Sequence, residues 1–299
     1  MRVLSIGNFS TGWDNSICDE EHIAKALEEL GHIVHRWQRG EDIPQMMIQP
    51  DFTLIAQWDG YSDELLADLP HPLVYWAFDH QEQNQEWHCR LIAASDLYLS
   101  KRIEDKRFPN WQWLPQDFAP KFLDKISAPV QKDIEVLFTG SYLPWATSRT
   151  TILQAVDKQF DLHIYSVTSN EWKDKGFKNV HEAIMDEGLP ELYARSKIVI
   201  SIDHTIERGY WSDRVAQALC CGAFVLHHWQ PMAEIAFKNH VAYFYNEEDC
   251  LEKLENLLRP DIIPIREEYA QRGYEYAQQN LKVKNRVMDL LTIVGSLLV

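Results

Sequence analysis

The residues best suited to contact a phosphate lie around the start of one short helix. A buried strand leads into a polar and aromatic loop, residues 203–213, and a helix is predicted to begin at Arg214 and to end before Gly222. Unpaired N–H groups and the helix dipole favour anions at a helix start. We therefore expect Arg214 to contact a phosphate. The alternative is a capping arginine paired with Asp213 or Glu207.

A second set of candidate phosphate contacts follows another predicted strand, residues 134–139. Gly140 and Ser141 form a small turn there, and Arg149 opens the next predicted helix. A glycine turn lets the backbone approach a ligand closely, and a guanidinium offers two fixed donors to a diphosphate. We predict that these residues bind a diphosphate. The alternative for Arg149 is an exposed position on the helix surface.

Two strand ends in the first half of the chain carry residues suited to sugars or to proton transfer. The loop after the first strand contains Gly12, Trp13 and Asp14, and a tryptophan ring is a stacking face for a sugar. Asp79 and His80 end another strand, and both types of side chain bind hydroxyl groups or move protons. The alternatives are an ordinary strand-to-helix loop and a helix N-cap formed by Asp79.

The alternation of predicted strands and helices indicates the α/β class. Strands separated by helices form parallel sheets. A loose, proline-bracketed segment, residues 115–129, interrupts two such series, and the last part of the chain is mostly helical. We predict two Rossmann-like parallel-sheet domains, residues 1–122 and residues 123–299, with a helical C-terminal segment that closes the second.

Composition restricts the partners and the location. The 299 residues carry a net charge of −16, with 29 Lys and Arg against 45 Asp and Glu. Binding of duplex DNA needs a basic face, so a nucleic-acid partner is disfavoured, whereas one diphosphate needs only one or two cations. Five cysteines without a CxxC pattern suit a reducing cytoplasm. No run approaches the ~20 apolar residues that span a bilayer.

A metal site is not expected from the histidines. His227 and His228 are neighbours on a predicted strand and point to opposite faces of it, so they cannot chelate one ion together. No matching acidic cluster accompanies them, and we predict no metal site.

The helix that begins at Arg214 also carries a family pattern. It resembles the donor-binding helix of retaining GT-B glycosyltransferases, in particular the spore-maturation-protein (CgeB-like) branch of the glycosyl transferases group 1. That helix reads roughly Arg-x-Phe-Glu-Ala-x-Ala-Cys-Gly, and Arg214, Ala218, Cys221 and Gly222 match it. Three further segments are similar to landmarks of the family in the expected order: residues 26–34, 113–120 and 136–141.

The resemblance implies an enzyme that moves a hexose or pentose from a nucleotide-diphosphate sugar to an unknown acceptor. It implies retention of anomeric configuration, no metal and no cofactor, with the site between the two domains. Asp79 and His80 would be catalytic, and Trp13 and Asp14 would lie on the acceptor side. The implied donor-binding residues are Gly12, Gly140, Ser141, Arg149, Glu207, Tyr210, Arg214 and Gln217.

One departure from the family leaves a second function open. Gln217 stands where the family has a glutamate that accepts hydrogen bonds from ribose, and Gly209 occupies the position of the paired glutamate eight residues earlier. With Gln217 facing the ribose, a glutamate at this position is expected to keep or tighten nucleotide binding. The alternative function is a catalytically degenerate module that binds a nucleotide or a glycan, or that scaffolds a partner.

Overall fold

The computed structural model describes nine stretches of the chain, which contain the helices and strands given for each unit. The stretches are residues 1–9, 18–41, 49–56, 61–78, 86–116, 118–120, 123, 130–184 and 188–298. The chain packs as two compact units. Unit 1 comprises Met1–Gln116 and Val283–Val299, and unit 2 comprises Asp117–Lys282.

Unit 1 contains a six-stranded parallel sheet in the order β2-β1-β3-β4-β5-β6. Its strands are β1 Arg2–Gly7, β2 Ile33–Gln38, β3 Phe52–Ala56, β4 Leu73–Ala77, β5 Leu97–Ser100 and β6 Trp111–Trp113. Its helices are α1 Asp19–Glu29, α2 Asp63–Asp68, α3 Glu86–Ala94 and α11 Val283–Gly295. The central strands β3 and β4 are buried along their whole length, which explains their continuous apolar sequences.

Unit 2 contains a second six-stranded parallel sheet, in the order β12-β11-β10-β7-β8-β9. Its strands are β7 Ile134–Thr139, β8 Leu162–Ser166, β9 Asn179–Glu182, β10 Ser196–Ser201, β11 Val225–His228 and β12 Ala242–Phe244. Its helices are α4 Thr147–Gln159, α5 Ser169–Asp174, α6 Gly188–Ala194, α7 Arg214–Cys220, α8 Ala233–Phe237, α9 Glu247–Leu258 and α10 Ile263–Asn280. The predicted α/β class with two Rossmann-like parallel-sheet domains is therefore confirmed.

The strand order of unit 2 fixes where a ligand can bind. The chain runs from β7 outward to β8 and β9, and then returns to place β10 on the other side of β7. Ligands of open α/β sheets bind outside the carboxyl ends of the strands where the order reverses. In unit 2 this point lies between the ends of β7 and β10.

The last helix is placed differently from the sequence-based division into residues 1–122 and 123–299. The buried residues of α11 are Val283, Val287, Leu290 and Val294, which form one stripe at helical spacing. This stripe belongs to unit 1, where α11 packs against α1. The division by chain order put α11 with unit 2 because nothing local in its sequence identifies its packing partner.

Candidate anion-binding site

Arg214 lies at the point in unit 2 where the strand order reverses. It is the first residue of α7 and only 8% exposed. Its Nε donates a hydrogen bond to the carbonyl oxygen of Thr139 at the end of β7, and its Nη1 lies 3.3 Å from Ser201 Oγ at the end of β10. The side chain therefore joins the ends of the two strands. It makes no ion pair with Asp213 or Glu207 in the structure as described, which rules out the capping alternative.

Arg149 lies beside Arg214 in the first turn of α4. It is 4% exposed, and one Nη2 hydrogen bond of 2.7 Å to the carbonyl oxygen of Ser141 fixes it against the turn. Its Nε is buried and has no hydrogen-bond partner among the described residues. Arg149 is thus a buried residue, and the alternative of an exposed helix-surface position does not hold.

Both guanidinium groups lie over the same aromatic ring. The Cζ atom of Arg214 lies 4.7 Å and that of Arg149 lies 5.7 Å from the centroid of the Phe138 ring. An aromatic face attracts a cation and holds a planar guanidinium without neutralising its charge. Phe138, on β7, thereby orients two like charges towards the same region.

Neither arginine forms an ion pair among the described residues, although the charge of the buried Asp203 acts against the lowering of the Arg149 pKa. Within the described residues, no carboxylate lies within ion-pair distance of either guanidinium. Burial, followed by the nearby charge of Arg214, lowers the pKa of Arg149 to about 10. Buried charges in folded proteins are normally paired. Two adjacent buried cations without a partner are therefore the arrangement expected of a site for an anion with two negative charges.

Gly140 is required by this packing. Its φ is +153°, and a Cβ atom there would lie 2.7 Å from Nη2 of Arg214 and 3.2 Å from the Phe138 ring. The carbonyl oxygen of Gly140 accepts a hydrogen bond of 3.0 Å from Trp172 Nε1, and the carbonyl of Ser141 faces Arg149. The predicted residues Gly140 and Ser141 thus lie against both arginines.

The loop between β10 and α7 is held in place by a buried glutamine. Gln230 accepts a hydrogen bond of 3.2 Å from the backbone N–H of Glu207 and donates one of 2.9 Å to the carbonyl oxygen of Thr205. Glu207 itself is half-buried, and Tyr210 on the same loop is buried, with its hydroxyl 3.2 Å from His204 Nδ1. The electrostatic interaction of Tyr210 with Arg149 acts to raise the pKa of Arg149.

Gln217 on α7 is half-buried and reaches Tyr193 on α6. Its Nε2 donates a hydrogen bond of 2.6 Å to Asp213 Oδ2, and its Oε1 lies 3.4 Å from the hydroxyl of the buried Tyr193. Tyr193 in turn lies 3.0 Å from Thr139 Oγ1 at the end of β7. Both polar ends of the Gln217 amide are therefore engaged within the protein.

Several residues of this site were not identified from the sequence. Phe138, Tyr193 and Gln230 act through partners distant in the chain, and only their polar or aromatic character near strand ends is visible locally. A buried pair, Asp203 and His227, also lies at the ends of β10 and β11. Its sequence signal is an ionisable residue shortly after one apolar strand and another within the next strand.

The predicted site residues of unit 1 lie outside the described residues. These are Gly12, Trp13 and Asp14 after β1, and Asp79 and His80 after β4. Their assigned roles remain predictions.

In the parts of the chain that the structure describes, no group of three or more His, Cys, Asp and Glu side chains has the arrangement of a metal site. The helices in the same parts include none with the length and apolar character of a membrane span.

Comparison with known proteins bears on both the fold and the site. Residues 149–292, just under half of the chain, match the family model described as glycosyl transferase-like. This range includes Arg149, the loop between β10 and α7, and Arg214. No curated protein is significantly similar to the chain in sequence.

Solved structures are similar over nearly the whole chain. Sucrose-phosphate synthase from Thermosynechococcus elongatus has a TM-score of 0.65 at 9% identity, covering 99% of this chain and 98% of that one. An alpha-glucosyltransferase in complex with UDP-glucose and DNA containing an abasic site has a TM-score of 0.71 at 11% identity, covering 98% and 99%. HepE of Anabaena in complex with UDP and glucose has a TM-score of 0.64 at 12% identity, covering 99% and 100%.

At these identities the likeness shows a common fold and nothing finer. The chain has the GT-B fold, and its residues 149–292 carry a glycosyl transferase-like sequence that includes both buried arginines of the anion-binding site.

Proposed function

We propose that Arg149 and Arg214 bind the diphosphate of a nucleotide-sugar, and that the protein transfers the sugar to an acceptor. The observation that carries this proposal is the pair of buried guanidinium groups over Phe138, with which no described carboxylate forms an ion pair. A nucleotide-sugar diphosphate carries about two negative charges, which the two arginines would balance through charge-assisted hydrogen bonds.

The same arginines suit the chemistry of sugar transfer. When the bond between the sugar and the diphosphate breaks, negative charge grows on the leaving phosphate oxygen. Fixed positive charges in a water-poor site stabilise such charge without reorganising. Two guanidinium groups would supply here what a divalent cation supplies in other enzymes, so we propose transfer that does not depend on metal. Retention of configuration, with Asp79 and His80 as the catalytic residues, remains the proposal made from the family resemblance.

UDP is the first nucleotide to test, because HepE and the alpha-glucosyltransferase were solved with UDP or UDP-glucose. The net charge of the chain bears on which class of acceptor it could bind. Although the alpha-glucosyltransferase structure also contains DNA, the present chain has a net charge of −16. We propose a non-nucleic-acid acceptor on this basis. The five cysteines, none in a disulfide, are the basis for proposing a cytoplasmic location.

A binding module without catalysis is the second candidate function. It is favoured by Gln217, whose amide is engaged by Asp213 and Tyr193 instead of being open to a ribose. Such a module would bind a nucleotide at the arginines but would form no glycan product.

The experiment has a binding step and a transfer step. Isothermal titration with UDP, UDP-glucose and other nucleotide-sugars is expected to give saturable binding that Arg149→Gln weakens. Arg259→Gln changes an arginine paired with Asp261 on the surface and should leave binding intact. Product formation from a panel of acceptors, in the presence of a chelator, then separates the enzyme from the binding module. NMR of the product anomeric proton tests retention. Absence of nucleotide binding in the native protein would refute the proposal.

A further inference from the structure

Two buried ionisable side chains of unit 2 face each other without forming a hydrogen bond. Asp203 follows β10 and His227 lies on β11, and both side chains are 0% exposed. The distance from His227 Nε2 to Asp203 Oδ2 is 3.7 Å, which is too long for a hydrogen bond. Neither of these two atoms has a hydrogen-bond partner among the described residues.

The tautomer of His227 follows from its other nitrogen. Nδ1 lies 3.1 Å from the carbonyl oxygen of Ser201, which can only accept, so Nδ1 carries a proton. In neutral His227, Nε2 is then an acceptor. It faces Asp203 Oδ2, which is also an acceptor, while Asp203 Oδ1 is engaged by the backbone N–H of Ser212. Two buried lone pairs that face each other constitute a binding position for one proton.

The charges around the pair control whether that proton is bound. Burial lowers the pKa of His227, and the charge of Asp203 and the Ser201 carbonyl act in the opposite direction. His228 on the same strand and Arg214 on α7 lower this pKa further. From α8 and β12, the rings of Phe237 and Tyr243 contact His227, 6.4 and 6.0 Å away between centroids. Arg214 thus opposes protonation of His227 as long as its own charge is not balanced, and Arg149 interacts electrostatically with Asp203, the other member of the pair.

We propose that binding of a diphosphate at Arg149 and Arg214 is accompanied by the uptake of one proton, which Asp203 and His227 then hold between them. This inference rests on the proposed function, and it adds that pH regulates the affinity of the same site for the diphosphate. The anion balances the positive charges that oppose protonation. A proton taken from solvent then binds His227 Nε2 and donates a hydrogen bond to Asp203 Oδ2. Asp203 interacts electrostatically with Arg149, and His227 interacts electrostatically with Arg214. Binding of the diphosphate and protonation of the pair therefore influence each other.

The sign of the pH dependence follows from linkage. The complex binds more protons than the free protein, so affinity falls as pH rises through the interval between the pKa of the free pair and that of the bound pair. Below this interval the pair is protonated in both states, and above it in neither, so affinity is then independent of pH. Within it, affinity changes by up to about tenfold per pH unit.

UDP-glucose is the probe for this linkage, since both of its phosphates are esterified and neither titrates near neutral pH. Titration calorimetry in two buffers of different ionisation enthalpy, HEPES and Tris, measures the protons taken up on binding. We expect uptake of up to about one proton per UDP-glucose. The Kd should rise about threefold or more across a pH interval that begins below the ordinary pKa of histidine, because burial lowers the pKa of His227 in the free protein.

Two variants assign the effect to the pair. In Asp203→Asn the new amide donates to His227 Nε2 while its oxygen still accepts from the Ser212 N–H. Uptake should vanish, and binding near the upper end of the pH range should equal or exceed that of the native protein. In His227→Asn the side-chain amide can still donate to the Ser201 carbonyl but cannot be protonated, so the Kd should not depend on pH. His181→Asn, on β9 at the opposite edge of the sheet, is the matched control and should retain the uptake.

The outcomes separate the two proposals. If UDP-glucose binds the native protein without proton uptake, for example because a water molecule donates to both Asp203 and His227, the linkage is refuted and the arginine site stands. A loss of UDP-glucose binding in Asp203→Asn at every pH would show a purely structural role and would also refute it. If the native protein binds no UDP-glucose at any pH, the proposed function fails and the linkage fails with it.

Discussion

At the scale of single residues, the distinguishing property of the site is positive charge held in place by neutral groups. Arg214 is bound by a backbone carbonyl, a hydroxyl and an aromatic ring, and none of them cancels its charge. Arg149 is held in the same way by the Ser141 carbonyl and the Phe138 ring. The desolvation free energy of the two buried cations is therefore not offset by an ion pair in the free protein. A bound anion would offset it.

Replacing Arg214 with glutamine should weaken binding of UDP-glucose by about 1.5–3 kcal/mol, the range for a hydrogen bond to a charged group. Uridine, which lacks phosphate, should be affected much less. Titration calorimetry with both ligands measures the difference, and Arg259→Gln serves as the control for loss of an arginine elsewhere. Equal losses for the two ligands would mean that Arg214 acts through folding.

The structure changes the expectation for Gln217→Glu. The family resemblance alone favours retained or tighter nucleotide binding, whereas the Gln217 amide donates to Asp213 across 2.6 Å. A glutamate would place two carboxylates against each other, and like charges at this distance repel. We now expect weaker binding near neutral pH, with partial recovery in acid as one carboxylate is protonated. Affinity measured across pH tests this, and tighter binding at neutral pH would contradict it.

The residues of the site differ in how far the sequence reveals them. Arg149 and Arg214 could be identified because each directly follows a strand-and-loop pattern that is local in the chain. Tyr193 and Gln230 could not, since each is defined by a partner distant in sequence: Tyr193 by Thr139 and Gln230 by Glu207. Local patterns therefore predict the charges of this site, and tertiary packing determines how they are oriented.

At the scale of elements, the turn after β7 sets the position of Arg214. Gly140→Ala should move Arg214, because the added Cβ would lie 2.7 Å from its Nη2. We expect UDP-glucose affinity to fall by about tenfold or more, as for loss of a charge-assisted hydrogen bond. Gly222→Ala is the matched control. Gly222 also has a positive φ, +71°, but has nothing within 4 Å of the new atom.

Both alanine variants are expected to lower stability, because alanine is strained at positive φ. Thermal unfolding together with titration calorimetry separates this shared cost from the loss of binding. Similar affinities for Gly140→Ala and Gly222→Ala would show that the turn does not position Arg214.

Most of the longer elements follow from sequence patterns, whereas short elements such as β6, β9 and β12 do not. The strands β1, β3 and β4 could be predicted because their apolar runs are bounded by polar turns. The strand β6, Trp111–Trp113, is only three residues long and has no period to detect. The stripe of α11 is visible as a pattern, but the helix on which it packs is not, because α1 lies at the other end of the chain.

At the scale of the whole molecule, the two units should respond differently to a change in α11. Leu290 is fully buried in unit 1, and Leu290→Ala should destabilise that unit by about 2–5 kcal/mol. The Kd for UDP-glucose should not change, because both arginines lie in unit 2. Met288→Ala on the same helix is the control, since Met288 is exposed. Thermal unfolding with and without UDP-glucose measures both effects, and loss of binding in Leu290→Ala would contradict the prediction.

The packing of α11 in unit 1 also has a consequence for how the protein folds during its synthesis on the ribosome. Residues 1–116 are synthesised before unit 2, yet the helix that covers α1 emerges only after unit 2. At common rates of translation this delay is roughly ten to forty seconds, during which the nascent first unit exposes the apolar surface of α1 that α11 later covers. Unit 2 is synthesised as one continuous segment and can fold before unit 1 is complete. This chain would thus invert the usual vectorial order, and unit 1 would expose its uncovered apolar surface to chaperones until α11 has been synthesised.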